Sequence, residues 1–135
     1  MKRSCKFLFT AIFCLLALST TANAREHQIY SVSEEVPMGY DNETLKKNYY
    51  VNIGANQGVQ KGATLNVYRI ISKLNPYENK RRVNHRVKIG ELKVLHSDDE
   101  AAIASLKNLE KGQETPLFEI KNLMIGDHVS VSVND

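Results

Sequence analysis

Residues 49–69 read YYVNIGANQGVQKGATLNVYR, and this stretch decides the fold. Runs of β-branched and aromatic residues lie on either side of three evenly spaced glycines, Gly54, Gly58 and Gly62. Such runs, when glycines bound them, are typical of strands joined by a loop. Glycine suits positions where the backbone takes a positive φ or approaches another segment closely. The stretch therefore predicts a strand, a tightly folded loop and a second strand, together forming the first corner of a small β-barrel.

Alternation within the two strands predicts which face is buried. In the first strand Tyr49, Val51 and Ile53 share one face, and in the second strand Leu65 and Val67 do so. A period of two is typical of a strand with one face on a core and one in water.

Arg69 has the same parity as the apolar residues before it. We expect it at the rim of the barrel, where its stem covers apolar surface and its head reaches water. The sharper alternative is an arginine that binds a ligand.

The first 24 residues have the pattern of a secretory signal peptide. A basic start precedes an apolar run over residues 7–18, and Ala22-Asn23-Ala24 forms a small-x-small cleavage site. The apolar run is short for a membrane span, so we expect no stable span after cleavage. The alternative is a buried N-terminal helix. The signal peptide predicts a periplasmic or secreted protein, cleaved after Ala24.

Cleavage changes both the charge and the cysteine count. Three of the 18 Lys and Arg residues lie in the signal, which leaves 15 against 15 Asp and Glu. A neutral chain has no general attraction to nucleic acid, so we expect no nucleic-acid partner. Both cysteines, Cys5 and Cys14, leave with the signal. The remaining 111 residues must be stabilised by an apolar core rather than by a disulfide.

Residues 25–47 are polar and weakly patterned, and we predict an extended N-terminal arm ahead of a barrel domain at 48–135. Ile29, Tyr30 and Val32 are compatible with a short strand. The arm packs along the barrel or reaches to a partner.

Residues 72–86 form a polar excursion that predicts a long hairpin or a protruding loop. It carries an aromatic residue and a basic cluster, namely Tyr77, Lys80, Arg81, Arg82 and Arg86. The functional interpretation is a contact arm for an acidic protein surface, with Tyr77 as its anchor. The alternative, which the general behaviour of charged loops favours, is a solvated loop.

The strand after this excursion predicts a bend. Val87 and Ile89 share one parity while Leu92 and Val94 share the other, and the change falls at Gly90. A strand keeps one face buried through such a change only with a bulge, which glycine permits.

Residues 97–112 are ambiguous. Ser97 to Glu100 matches a capping box, and Ile103, Leu106 and Leu109 fall at helical spacing before Gly112. A short acidic turn leading into a hairpin strand is the alternative. The local signals alone favour the helix.

The last elements are short. Residues 117–120 predict an edge strand, because Pro116 precedes them. Gly126 and Asp127 form a turn in which the aspartate can bond the neighbouring backbone. Residues 128–133 alternate cleanly and predict the closing strand.

No catalytic or metal-binding set is recognisable after residue 24. The histidines, His27, His85, His96 and His128, are scattered, and none has zinc-site spacing. The glycine loop lacks the lysine and hydroxyl residue of a phosphate-binding loop. His96 with the neighbouring residues 97–99 is the one polar cluster, for which a solvated turn is the expected state. We predict neither enzymatic activity nor a cofactor.

Five segments carry a resemblance to a known family: VNIG at 51–54, QGVQKG at 57–62, LNVYR at 65–69, IGELKV at 89–94 and IGDHV at 125–129. In this order they resemble the C-terminal domain of the flagellar assembly protein T family, over residues 48–133. The resemblance implies a small β-barrel, a strand rather than a helix over 101–107, and a periplasmic protein that helps to build the ring around the flagellar motor. It transfers no functional residue, because the matching positions are turn glycines and core residues.

The resulting prediction is an all-β fold, a small bent-strand β-barrel that acts as a non-catalytic interaction module. Its expected partner is an envelope or flagellar-type protein assembly, and the sequence carries no signal for an oligomeric state. The alternative is a small-ligand binder with an apolar pocket near Tyr68 and Arg69. A hydrolase that uses His96 or His128 is the least favoured hypothesis.

Overall fold

The computed structural model describes residues 25–110, 116 and 122–132. Within these ranges the chain forms six strands and a single 3-10 turn: β1 Ile29–Glu34, β2 Lys47–Val51, the turn Ala55–Gln57, β3 Thr64–Asn75, β4 Arg81–Ser97, β5 Ala102–Leu109 and β6 His128–Val131. The strands form one sheet in the order β1-β2-β5-β4-β3-β6, and every neighbouring pair is antiparallel. The predicted all-β class is therefore confirmed.

The sheet curls, but its strand ladders do not close it along its full length. Strands β1 and β6 are its two edges, and they meet at one corner through a bridge between Gln28 and His128. Three further backbone hydrogen bonds of 2.8 to 2.9 Å join residues 27–29 to residues 126–129 at this corner. The fold is therefore a curled sheet rather than a fully closed barrel.

The core lies on the inner side of the curl. Its fully buried members include the residues that alternation placed there, Tyr49, Val51, Leu65 and Val67, each 0% exposed. Ala102 and Ala104 of β5 are buried beside them. The remaining buried apolar residues are Ile29, Ile53, Val59, Ile89, Leu92, Val94, Leu123 and Val129.

The predicted bend in β4 is present. Ile89 and Gly90 are both buried, and the pairing with β3 shifts register between Val67 and Tyr68. A Cβ atom on Gly90 would lie 2.6 Å from the carbonyl oxygen of Asn108 in β5, closer than real Cβ atoms approach. Glycine is required here because the neighbouring backbone occupies the space of a side chain.

The loop over residues 54–62, called the glycine loop, requires glycine for two different reasons. Gly58 and Gly62 take positive φ, as does Gly126 in the last turn. Gly54 is extended, but a Cβ atom there would collide with the turn that joins β4 to β5, at the carbonyl oxygen of Asp98. The loop therefore packs directly against that turn.

Three segment predictions have specific outcomes. The ambiguous region 97–112 contains strand β5, so the helix that local signals favour is wrong and the strand is confirmed. Within the expected N-terminal arm, residues 29–34 are strand β1 and belong to the sheet, because they pair with β2. The edge strand expected at 117–120 lies outside the described residues.

Candidate functional site: a hairpin arm and the recess at its base

Strands β3 and β4 continue beyond the sheet as a two-stranded arm. Strand β6 pairs with β3 only over residues 65–68, and β5 pairs with β4 only over residues 90–97. Beyond these limits β3 and β4 pair with each other, from Ile70 opposite Arg86 to Asn75 opposite Arg81. We call residues 70–86 the hairpin arm. Six extended residues on each side give it a length of about 20 Å.

The tip of the arm is an ordered turn. The Tyr77 backbone N–H donates to Oδ1 of Asn75 at 3.0 Å, and the Arg81 N–H donates to the carbonyl oxygen of Glu78 at 2.9 Å. Asn79 and Lys80 take positive φ, which closes the turn. Tyr77 is 95% exposed at this tip. The predicted protruding hairpin is confirmed, and its aromatic residue is fully presented to solvent.

The arm is strongly basic. Five cations, Lys73, Lys80, Arg81, Arg82 and Arg86, stand against a single carboxylate, Glu78. Within the described ranges none of the five cations forms an ion pair. Exposed apolar side chains lie among them: Ile70, Leu74 and Val83.

The predicted basic cluster is divided between the two faces of the arm. Successive side chains of a strand point to opposite faces, so Arg81 and Arg82 lie on different sides. Arg82 and Arg86 share a face with Ile70 and Leu74, which are their partners across the ladder. The arm therefore presents two mixed faces, each combining positive charge with apolar surface.

Arg69 lies at the foot of the arm, and its environment corrects the sequence-based expectation. Its Nε and Nη2 atoms each donate at 2.8 Å to the carboxylate of Asp127, which is only 2% exposed. Nη2 also donates to the carbonyl oxygen of Asn122 at 3.2 Å. The hydrogen bonds to Asp127 raise the pKa of Arg69 above its ordinary value. The guanidinium head is thus held in a structural ion pair rather than in water, and it is not the free ligand-binding group of the alternative hypothesis.

Asp127 has the predicted turn role in addition to this ion pair. Its Oδ2 accepts a hydrogen bond of 2.8 Å from the backbone N–H of Met124. Sequence reasoning found the turn but missed the arginine. The available signal was an arginine at a core-parity position in a chain with an aspartate ahead of its last strand.

A recess opens where the arm joins the sheet. Its volume is about 270 Å³, and its lining includes Arg25, Glu26, His27, Ile70, Arg86 and His128. The guanidinium carbon of Arg86 lies 4.3 Å from the centre of the Tyr68 ring. His128 Nδ1 is 3.8 Å from a carboxylate oxygen of Glu26. The recess brings together the N-terminal segment, the arm and β6, none of which is near the others in sequence.

A second, larger cavity is lined by residues of β2, β4 and β5. It has a volume of about 410 Å³, and its lining includes Leu45, Lys46, Tyr49, Leu95 and Leu106. Burial, with smaller effects from the charges of Glu34 and Asp127, raises the pKa of the Tyr49 hydroxyl.

The histidine cluster predicted as a solvated turn is exposed. His96 Nε2 lies 3.0 Å from Oδ1 of Asp98, and both side chains are more than half exposed. The Ser97 hydroxyl instead donates to the carbonyl oxygen of Val59 at 2.7 Å, which fixes the glycine loop. In the part of the chain that the structure describes, no three His, Cys, Asp or Glu side chains are grouped to hold a metal ion.

Among the described residues, no helix has the length and apolarity needed to cross a membrane. No family model matches the chain, and no curated protein matches it.

Proposed function

We propose that this protein is a non-catalytic, exported interaction module of the bacterial envelope, and that the hairpin arm captures an acidic protein partner. The observation that carries the proposal is the arm itself, an ordered projection with five cations, one carboxylate and no ion pair formed by those cations within the described residues. The signal-peptide pattern and the resemblance to the flagellar assembly protein T family support the compartment and the type of assembly.

The arm is suited to binding because its conformation is already fixed. Its two strands pair from residue 70 to residue 86 through an unbroken register. Association therefore orders little backbone, which lowers the entropic cost of binding. Tyr77 at the tip supplies a rigid aromatic anchor of the kind enriched at binding hot spots. The cations add attraction to an acidic surface and speed association.

The competing explanation is that the charges only protect exposed strand edges. Cationic side chains on edge strands are a common defence against edge-to-edge aggregation. Under that explanation, reversing their sign is harmless because a negative edge also repels copies of itself. Under the binding proposal, reversal abolishes attraction to an acidic partner and introduces repulsion.

The test is the double variant Arg81→Glu/Arg82→Glu in crosslinking of intact cells followed by envelope fractionation. Exposed ion pairs contribute up to about 1 kcal/mol each, and reversal also adds repulsion, so we expect capture to fall by roughly 30-fold. The melting temperature should stay unchanged because both side chains are exposed.

The matched control is Lys61→Glu/Lys93→Glu, which makes the same charge change at exposed positions outside the arm. It should leave capture within about twofold of the wild type. Equal losses in the two double variants would show a general charge effect and refute a role for the arm. An unpartnered monomer in every fraction of wild-type cells would refute the interaction module itself.

A second candidate function is the binding of a small envelope ligand, and the 410 Å³ cavity favours it. Its volume falls within the range of small-molecule sites, and three leucines contribute to its wall. A thermal shift on addition of envelope glycans or lipids, lost in Leu106→Asp, would support this function. A melting temperature that no such ligand changes would refute it.

A further inference from the structure

Arg86 differs from the other cations of the arm because its head group lies over an aromatic ring. The guanidinium carbon lies 4.3 Å from the centre of the Tyr68 ring, which is stacking distance. Such a contact restricts the arginine side chain and leaves the N–H groups that point away from the ring available for a planar acceptor. In the described part of the chain, the Arg86 side chain forms neither an ion pair nor a hydrogen bond to a protein acceptor.

The surroundings of Arg86 favour a negatively charged group. Arg25, His27 and His128 share the wall of the recess with it, and Ile70 adds apolar surface. The one carboxylate in that wall belongs to Glu26, whose oxygen lies 3.8 Å from His128 Nδ1. Glu26 is 71% exposed, so this carboxylate lies at the open side of the recess.

We infer that this recess is a carboxylate-binding subsite, in which the Arg86 guanidinium holds one carboxylate of the acidic partner. The inference rests on the proposed capture of such a partner by the arm. A planar fork meeting a planar carboxylate gives two parallel hydrogen bonds, which is the arrangement that arginine provides and lysine does not. At about 270 Å³ the recess has room for one side chain or one chain terminus rather than for a larger ligand.

Arg82 provides a matched control within the same strand. It lies four residues before Arg86 on the same face of β4, opposite Leu74 instead of Ile70. It carries the same charge, but it does not line the recess. A general electrostatic attraction would use the two arginines equally, whereas a subsite depends on Arg86 alone.

The experiment is a chemical-shift titration of the ¹⁵N-labelled protein, in the form that cells accumulate, with three short peptides. Acetyl-Gly-Asp-Gly amide offers a side-chain carboxylate, acetyl-Gly-Gly-Gly offers a free terminus, and acetyl-Gly-Asn-Gly amide offers no charge. We expect the two carboxylate peptides to shift the amide signals of Tyr68, Arg86 and His128, and the asparagine peptide to shift none of them. The tighter of the two carboxylate peptides identifies the source as an acidic side chain or a chain terminus.

The variants should change the affinity for the peptide in opposite directions. Arg86→Gln should weaken binding of the tighter peptide by at least tenfold, and Arg86→Lys by at least threefold because the charge remains without the fork. Arg82→Gln should stay within twofold of the wild type. Glu26→Gln should tighten binding two- to threefold, because it removes the competing carboxylate. Unchanged melting temperatures and amide spectra verify the fold of each variant.

Equal weakening in Arg86→Gln and Arg82→Gln, or weakening in Glu26→Gln, overturns the subsite. If capture in cells still depends on Arg81 and Arg82, the arm proposal survives that failure. If the peptides bind as expected but reversal at Arg81 and Arg82 leaves capture unchanged, the arm proposal fails and the subsite remains.

Discussion

The ion pair between Arg69 and Asp127 leads to a prediction about which of its two residues, when substituted, causes the larger loss of unfolding free energy. The pair joins β3 to the turn before β6, across 58 residues of sequence. The same turn bonds to the backbone of Ile29, so the pair holds the corner where the two edges of the sheet meet. We consider Arg69→Met, Asp127→Asn and the double variant.

Burial makes the two single variants unequal. The Asp127 side chain is 2% exposed, whereas that of Arg69 is 18% exposed. Arg69→Met leaves a buried carboxylate with the Met124 N–H as its remaining partner among the described groups. Breaking a buried ion pair costs about 3–5 kcal/mol, and because water reaches Arg69 we take the lower end, about 3 kcal/mol. Asp127→Asn keeps the shape of the side chain and leaves a guanidinium that can turn towards solvent, so we expect about 1.5–2 kcal/mol.

The assay is equilibrium urea unfolding together with thermal unfolding. For a domain of this size, a loss of about 3 kcal/mol lowers the melting temperature by roughly 12–20 °C. The double variant should lose about 3 kcal/mol rather than the sum of the single losses, because the two side chains are coupled. Lys88→Met provides the control, since its ion pair with Glu91 is more exposed and should contribute less than about 1 kcal/mol. An Arg69→Met variant less destabilised than Asp127→Asn, or additive single losses, would refute the reasoning.

Two further predictions concern the glycine loop and a buried tyrosine. Gly54→Ala places a methyl group 2.8 Å from the carbonyl carbon of Asp99 and should lower the free energy of unfolding in urea by at least about 2 kcal/mol. Gly62→Ala is strained but lies in open space, so it should cost about 1 kcal/mol. Equal losses would contradict the close approach at Gly54. Burial raises the pKa of Tyr49 in the folded protein above its ordinary value of 10.0, so this tyrosine ionises at a lower pH in the unfolded chain than in the folded one. The stability that it contributes is complete below that value and is lost as the pH rises above it. Tyr49→Phe should therefore flatten the fall of the unfolding free energy above pH 10 relative to the wild type, and parallel curves for wild type and Tyr49→Phe would contradict this.

The fold class was predictable because its signals are local. Tyr49, Val51 and Ile53 alternate with polar residues, and all three are buried as that period requires. The parity change at Gly90 predicted the bend in β4, since only a bulge keeps Ile89 and Leu92 on one side of the sheet. In each case the information lies within a few residues of the feature.

The region 97–112 shows where local signals mislead. A capping box and helical spacing favour a helix, but β5 gains hydrogen-bonded neighbours on both sides, β2 and β4. Ala102 and Ala104 are buried in the core, so the strand contributes its small side chains to the close-packed interior. Leu106, which the helical pattern would bury, is 41% exposed. Tertiary pairing overrides intrinsic preference here, and the sequence of the segment alone does not contain its partners.

The candidate site was predictable only in part. The basic excursion and its exposed tyrosine were visible in the sequence, because charge and turn residues cluster there. The division of Arg81 and Arg82 between faces depends on the register of the hairpin. The recess depends on the corner that brings residues 25–28 beside β6, about 100 positions later in the chain. No spacing rule within one segment reaches that far.

Under the binding proposal, the cations at the tip and at the base of the arm have different roles. A projecting two-stranded ribbon exposes backbone groups on both edges, so it needs charge to remain unpaired with its own copies. Under the binding proposal, cations near the tip, such as Arg81, would serve that need and attract an acidic surface at the same time. Arg86 at the base adds nothing to edge protection at the tip, yet it is the cation of the arm whose guanidinium lies over an aromatic ring. Electrostatic attraction along the arm and a specific carboxylate contact at its base are therefore separable. Substitution of single arginines can for this reason distinguish long-range steering of a partner from a specific contact with it.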